Sequence, residues 1–341
     1  MAVIRSYVDG FKVTDLTEEL LVVPNQYGLI NELSIFSSEG VAQHTITFEQ
    51  TNKTLGLIGD KIRGERANVS KDGTRLIRSY HIPHFPLDDA LNVRDVKGVR
   101  AYSSDQQDPK DEAMARKLET IRKSHAVTLE FARMQAITQG TIYAPNGTVV
   151  GNYYNDFGVA QKVVSFNLAS PTTDVLGKQR EVIDHIQENI GSGEVPNGII
   201  ALCSPEFFDA YVSQAGVKTA YQFYQSSQEP YRKGLRSGRY SVFVHGDVTL
   251  YRYVGGYTDS NGNFNKFIPE GEAYYLPVGT QGTFKTYFSP ADKWDLVNTV
   301  GEEAYVFTYE DPKGTATYIE SEHNAIHLVT RPQVVVKATL A

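Results

Sequence analysis

The chain has 341 residues, with 33 Lys and Arg against 40 Asp and Glu, and a formal net charge of −7. That length can bury a large core and allows two domains or one with long insertions. An acidic balance excludes nucleic-acid binding driven by overall charge, so any such contact must be local.

The opening stretch MAVIRSYVDGFKVTDL lacks a continuous apolar core of the signal-peptide kind, and no apolar run approaches the roughly 20 residues that span a bilayer. The expectation is a soluble, non-secreted protein without membrane contact. The single cysteine, Cys203, lies in the apolar run IIALC. It cannot form an internal disulfide and reads as a buried thiol in a reducing compartment. Up to Phe36 the texture is mixed, with a weakly helical TEELLVVPN closed by Pro24.

From His44 to Pro83 the period changes to two. HTITFEQ sets Thr45, Thr47 and Glu49 against His44, Ile46 and Phe48, and TLGLIG and TRLIRSYHI continue in strand style. Between them DKIRGERANVSKDG reads as the tip of a long hairpin. From Asp60 to Arg78 six bases (Lys61, Arg63, Arg66, Lys71, Arg75, Arg78) outnumber three acids (Asp60, Glu65, Asp72), a local net of +3 that leaves −10 for the rest. A two-stranded hairpin is barely stable alone in water, so one this long is expected to lie on another surface or to move as a solvated loop.

FPLDDALNVRDVKGVRAYSSDQQDPK reads as a connector into the dominant element, a helix from Asp108 to Gly140. Met114, Leu118, Ile121, His125, Leu129, Ala132 and Ala136 recur at spacings of three and four, while Arg116, Lys117, Glu119, Arg122 and Lys123 take the opposite face. Pro109, Asp111 and Glu112 suit its first turn and Gly140 its stop. Short hairpin strands follow around Pro145-Asn146-Gly147 and Gly151-Asn152, then the strand VVSFNLASP. At Thr173 the texture becomes α/β. A helix carries Val182, Ile183, Ile186 and Ile190, NGIIALC is a buried strand, and SPEFFDAYVSQAG is a helix capped by Ser204 with Pro205 at its first position. VKTAYQFYQ is a further helix, EPYRKGLRSGRY a basic loop, and VFVHGDVTLYRY a strand pair around Gly246-Asp247. DSNGN is a turn, and both EAYYLPVGTQGTFKTYF and TATYIESEHNAIHLVTRPQVVVKATL are strand-like.

Chemical motifs are sparse. Phosphate loops of the G-x-x-x-x-G-K-[ST] type, G-x-G-x-x-G and G-x-S-x-G are absent from the sequence. His81 with His84, and His323 with His327, lack the further ligands of a metal site. The paired acids Asp88-Asp89 and Glu302-Glu303 read as solvated turns. Neither catalytic residues, nor a cofactor, nor a metal is expected. Tyr251-Arg252-Tyr253 reads as sheet packing or, alternatively, as a stacking platform for nucleic acid.

The order of elements carries the strongest signal. The helix entry DEAMARKLETIRKSHAVTLEFARMQAITQGTIY, the segment VFVHGDVTLYRYVGGYTDSNGNFNKFIPEGEAYYLPVGT and the run DPKGTATYIESEHNAIHLVTRPQVVVKATLA resemble the lambda-type phage major capsid protein E family, within the Hong Kong 97 capsid fold. The resemblance covers nearly the whole chain and rests on many weak collinear matches. It implies an α+β fold with an N-terminal arm (1–42), an extended E-loop hairpin (43–84), a P-domain (85–172) with a spine helix at about 110–139, an inserted A-domain (173–310) and closing P-domain strands (311–341). It implies a non-enzymatic subunit that self-assembles as hexamers and pentamers into the icosahedral shell of a tailed bacteriophage, built in the host cytoplasm around double-stranded DNA held non-specifically. Its other implied partners are a separate scaffolding protein, because the arm is too short to be a cleaved scaffold, a portal protein and, in some relatives, a decoration protein. Lys61, Arg63, Arg66, Arg75 and Arg78 are then candidate intersubunit contacts, whereas no crosslinking role is expected for Lys53, Lys61 or Lys71. A tail or other virion protein is the alternative, and an enzyme of unfamiliar type a more distant one.

Overall fold

A helix of 30 residues, Pro109–Thr138, forms the longest element of the protein. At about 1.5 Å per residue it extends roughly 45 Å. The computed structural model describes residues 3–6, 12–15, 28–52, 74–96, 109–144, 147–191, 195–224, 240–259, 261–280 and 282–341. The expected helical cluster TEELLVVPN, the strand TLGLIG, the hairpin tip, most of the connector after Val96 and the basic loop EPYRKGLRSGR lie outside the described residues.

In chain order the strands are β1 (Val3–Ser6), β2 (Lys12–Asp15), β3 (Ser37–Gly40), β4 (Thr45–Asn52), β5 (Thr74–His81), β6 (His84–Asn92), β7 (Thr141–Tyr143), β8 (Val149–Asn152), β9 (Val163–Ser165) and β10 (Gly198–Cys203). After these come β11 (Ser241–His245), β12 (Val248–Arg252), β13 (Gly256–Thr258), β14 (Phe264–Lys266), β15 (Glu272–Val278), β16 (Phe284–Phe288), β17 (Tyr305–Glu310), β18 (Ala316–Val329) and β19 (Val336–Thr339). One sheet runs β1-β2-β17-β18-β16-β3, with β6 also paired to the 14-residue β18. A second sheet runs β11-β12-β10-β15-β19-β9. The pairs β4–β5, β7–β8 and β13–β14 are separate two-stranded ribbons.

The long helix lies along the first sheet. Ile121 is buried with Ala304, Val306 and Ile319, and Met114 and Leu118 pack against that cluster. Met134, Ala136 and Ile137 join a larger core with Ile326, Leu328 and Val329 of β18 and Leu276 of β15. The helices of the second sheet follow their sequence signals. In Val175–Asn189 the Asp174 side chain caps the Gly177 amide at 2.9 Å, and Val182 and Ile186 are buried. In Pro205–Ser213 Ser204 accepts from the Phe207 amide at 3.2 Å. Cys203 is a buried free thiol.

Two elements differ from the sequence reading. The first part of the expected connector, up to Asn92, is the strand β6, hydrogen-bonded to β18 over Asn324–Ala316. Its proline does not break it, because among the described residues β6 pairs on one side only and a missing amide is tolerated there. After β8, Tyr153–Phe157 is a short helix, started by Asn152 accepting from the Asn155 amide at 3.1 Å. The sheets also cut the chain differently from boundaries drawn in sequence order. β16 and β17, before residue 311, pair with β18 in the first sheet, whereas β19, after it, pairs with β15 and β9 in the second.

Candidate assembly surfaces and the polar seam beneath the long helix

The hairpin base has two distinct faces. Ile46 pairs with Tyr80 and Phe48 with Arg78. Ile46 and Phe48 pack on the main core, and the Phe48 ring lies 6.2 Å from Tyr80 and 6.0 Å from Tyr287. Thr47, Ile77 and Ser79 are exposed on the other face, where the Thr47 and Ser79 hydroxyls are 3.0 Å apart. Asp156, from the short helix, fixes this base. It accepts from the Tyr80 hydroxyl at 2.7 Å and lies 3.8 Å from Arg78. Burial and the Asp156 carboxylate push the Tyr80 phenol well up.

The candidate contact residues therefore divide. Arg78 faces its own subunit, where Asp156 answers its charge. Arg75 sits in β5 opposite Thr51. Lys61, Arg63 and Arg66, with Lys53 and Lys71, lie outside the described residues.

A row of polar side chains is buried where the long helix crosses β18, a feature the sequence reading missed. His125 Nε2 lies 2.9 Å from Ser321 Oγ. Arg133 donates from Nη2 to Thr286 Oγ1 at 3.2 Å, and that hydroxyl lies 3.0 Å from His327 Nδ1. The Arg133 guanidinium also stands 5.4 Å over the Phe36 ring, and burial lowers it to about 10. His323 Nδ1 is 2.5 Å from the Glu303 carbonyl. His323 and His327, four apart on one strand face, thus bond to different partners. Among the described residues no group of three His, Cys, Asp or Glu could hold a metal ion, and no helix is long and apolar enough to cross a membrane.

Glu130 ties three parts of the chain together. Its Oε1 accepts from the Ile30 amide at 3.2 Å and from the Tyr253 hydroxyl at 2.9 Å. The carboxyl joins the long helix to the short helix Leu29–Glu32 and to the end of β12. Burial raises its proton affinity, and Oε2 is buried without a hydrogen-bond partner. Tyr253 is itself buried and Arg252 lies 3.5 Å from Asp209, so the Tyr-Arg-Tyr stretch packs within the subunit. The signal for Glu130 and Arg133 was available in LEFARMQAI, where apolar residues surround the helix instead of lining one stripe.

The seam has a pH consequence. An unfolded histidine protonates near pH 6.5, whereas burial lowers His125 to about 4 and burial with neighbouring His125 lowers His323 to about 3. Below about 6.5 the unfolded chain takes protons that the folded chain refuses, so stability falls as pH drops toward 4. Glu130 and Glu322 are raised by burial and oppose that slope. His323→Phe is expected to reduce the slope by up to about 1.4 kcal/mol per pH unit, read from urea unfolding of unassembled subunits at several pH values.

Known proteins resemble the chain in sequence and in fold. The family described as "Phage major capsid protein E" matches residues 12–340. The major capsid protein of Pseudomonas phage KPP10 is 40% identical, with all of both chains covered. A crystal structure of a protein assigned as the capsid protein of an E. coli CFT073 prophage superposes with a TM-score of 0.64 at 12% identity, covering 100% of each chain. The mature capsid subunit of bacteriophage PhiM1 superposes at 0.51 and 11% identity, covering 89% of this chain and 84% of that one. The chain belongs to the phage major capsid protein E family and has the Hong Kong 97 capsid fold.

Proposed function

We propose that copies of this phage major capsid protein assemble as hexamers and pentamers into an icosahedral shell around the double-stranded DNA of a tailed bacteriophage. The observation that carries the reading is the β4–β5 ribbon, which joins neither large sheet and presents an exposed face. Its inner face packs on the subunit's own core, which leaves the exposed outer face for a neighbouring subunit. In this reading 43–84 is the E-loop, the long helix is the spine of a P-domain, and the second sheet with its helices forms the A-domain. Lys61, Arg63, Arg66 and Arg75 lie over an adjacent subunit that is acidic on balance, a favourable contact screened by salt. Arg78, 3.8 Å from Asp156 at the hairpin base, is the candidate contact nearest its own subunit.

The subunit acts as a structural protein without catalysis. A separate scaffolding protein, a portal protein and a decoration protein are the further partners this reading implies, with assembly in the host cytoplasm. A net charge of −7 suits a wall that holds packaged DNA without gripping it.

The test is sedimentation and negative-stain electron microscopy of the chain expressed alone and with its neighbouring phage genes. Closed shells, or rings of five or six subunits, are expected; a monomer or dimer under every condition would overturn the reading. Arg63→Glu with Arg66→Glu is expected to lower shell yield by about tenfold at low salt, since many weak contacts act together. Unchanged yield would remove these residues from the interface.

A further inference from the structure

The connection between β16 and β17 displays an apolar knob. Trp294, the only tryptophan in the chain, is 85% exposed on a 3₁₀ turn, Trp294–Leu296, with Val297 57% and Val300 66% exposed beyond it. Val297 follows the turn directly in extended backbone. The turn is held firmly. Leu296 packs inward on Ala291, Tyr305 and Phe307. Its amide donates to the Lys293 carbonyl at 2.9 Å, and the Thr299 hydroxyl donates to the Leu296 carbonyl at 2.7 Å. Lys293 is fixed to Glu320 at 2.5 Å and stands 5.2 Å over the Phe307 ring. The exposed tryptophan is therefore carried on a supported platform, the arrangement of an interface anchor.

Charge identifies what covers it. From Pro290 to Glu303 four acids (Asp292, Asp295, Glu302, Glu303) outnumber one base, Lys293, a net of −3. The hairpin stretch Asp60 to Arg78 carries +3. We propose that the acid-rimmed knob Trp294–Val297–Val300 is the docking surface for the basic hairpin of a second copy of this chain. Lys and Arg suit such a surface by their chemistry, since an apolar stem can cover an indole while the charged end meets a carboxylate. The proposal rests on the shell-forming function above and names the surface on which the hairpin lands.

The single tryptophan makes the intact protein its own probe. Its fluorescence emission is expected to shift to the blue, and quenching by iodide to fall, when subunits enter shells; emission and quenching that do not change on assembly would overturn the proposal. The partner is identified by charge exchange. Asp292→Lys with Asp295→Lys is expected to cut shell yield about tenfold in free subunits that still unfold in one cooperative thermal transition. Adding Arg63→Glu and Arg66→Glu to that variant is expected to restore assembly. Failure of this rescue, with Trp294 still buried in wild-type shells, would mean that another surface or a different protein covers the knob, and would overturn the assignment of the hairpin. Absence of shells from the wild-type chain under every co-expression condition would instead bring down the shell-forming reading.

Discussion

Glu130→Ala is expected to cost the unassembled subunit about 3 kcal/mol, measured by chemical denaturation. The loss combines two effects. The Ile30 amide and Tyr253 hydroxyl lose their buried acceptor, and the side chain leaves a void between three elements. Glu130→Gln keeps the Oε1 acceptor and is expected to stay within about 1 kcal/mol of the native protein, because burial already favours the uncharged acid. A large loss on Gln substitution would show instead that the negative charge is retained to face Arg133. Gly28→Ala probes the same point from the other side. Gly28 has φ of 107°, and an added Cβ would lie 2.4 Å from Glu130 Oε2. The change is expected to cost about 2 to 4 kcal/mol. Combining it with Glu130→Ala removes the clash but not the backbone strain, so the double variant should be about 1 to 2 kcal/mol more stable than the two losses added.

Gly301→Ala is the second large effect, at about 3 kcal/mol or more. A Cβ there would lie 2.2 Å from the Phe288 carbonyl oxygen, 2.5 Å from the Phe288 carbonyl carbon and 2.6 Å from that of Ser289. These are backbone atoms that cannot swing aside. Gly40 meets the same crossing from β3, its Cβ position lying 2.2 Å from the Gly301 oxygen. The close approach lets the Val41 amide donate to the Phe288 carbonyl at 2.8 Å and the Gly301 amide to the Val41 carbonyl at 3.1 Å. Bulk at either glycine pushes β3 away from β16 and shifts the end of the tryptophan-bearing loop. Loss of shells is therefore expected to accompany loss of stability, whereas Trp294 substitutions separate the two. Gly216→Ala, in the helix Ala215–Tyr224 with nothing within 4 Å of the added carbon, is the control and is expected to be neutral or slightly stabilising.

The long helix was legible almost to the residue, because a continuous stripe from Met114 to Ala136 is bracketed by a proline and a glycine. The hairpin base was equally plain, its alternating Thr and Ile/Phe positions dividing into outer and inner faces. β6 was hidden, since Pro86 and the acids Asp88 and Asp89 suggest a connector. Asp89 is accommodated by Lys117 of the long helix at 2.8 Å, a partner 28 residues away that local pattern cannot announce. The buried seam was missed for a related reason. Glu130 and Arg133 stand among apolar residues in LEFARMQAI, but the groups that meet them, the Ile30 amide, the Tyr253 hydroxyl and Thr286, lie 100 or more residues away. Of the candidate contact residues, Arg78 lies 3.8 Å from Asp156, a partner 78 residues away that a local count of charges does not record.

The position of β19 sets a schedule for synthesis. It lies between β15 and β9, in register with Val163–Ser165, which were translated more than 150 residues earlier. The first sheet waits in the same way, because β2 finds its second partner only in β17 and β6 its partner only in β18. Neither sheet can close until its late strands have left the ribosome, and such distant pairings form slowly. A nascent chain therefore carries the long-helix segment before the sheets that orient it exist. Neighbouring ribosomes on one message can carry many copies close together without starting a lattice before any of them is a finished subunit.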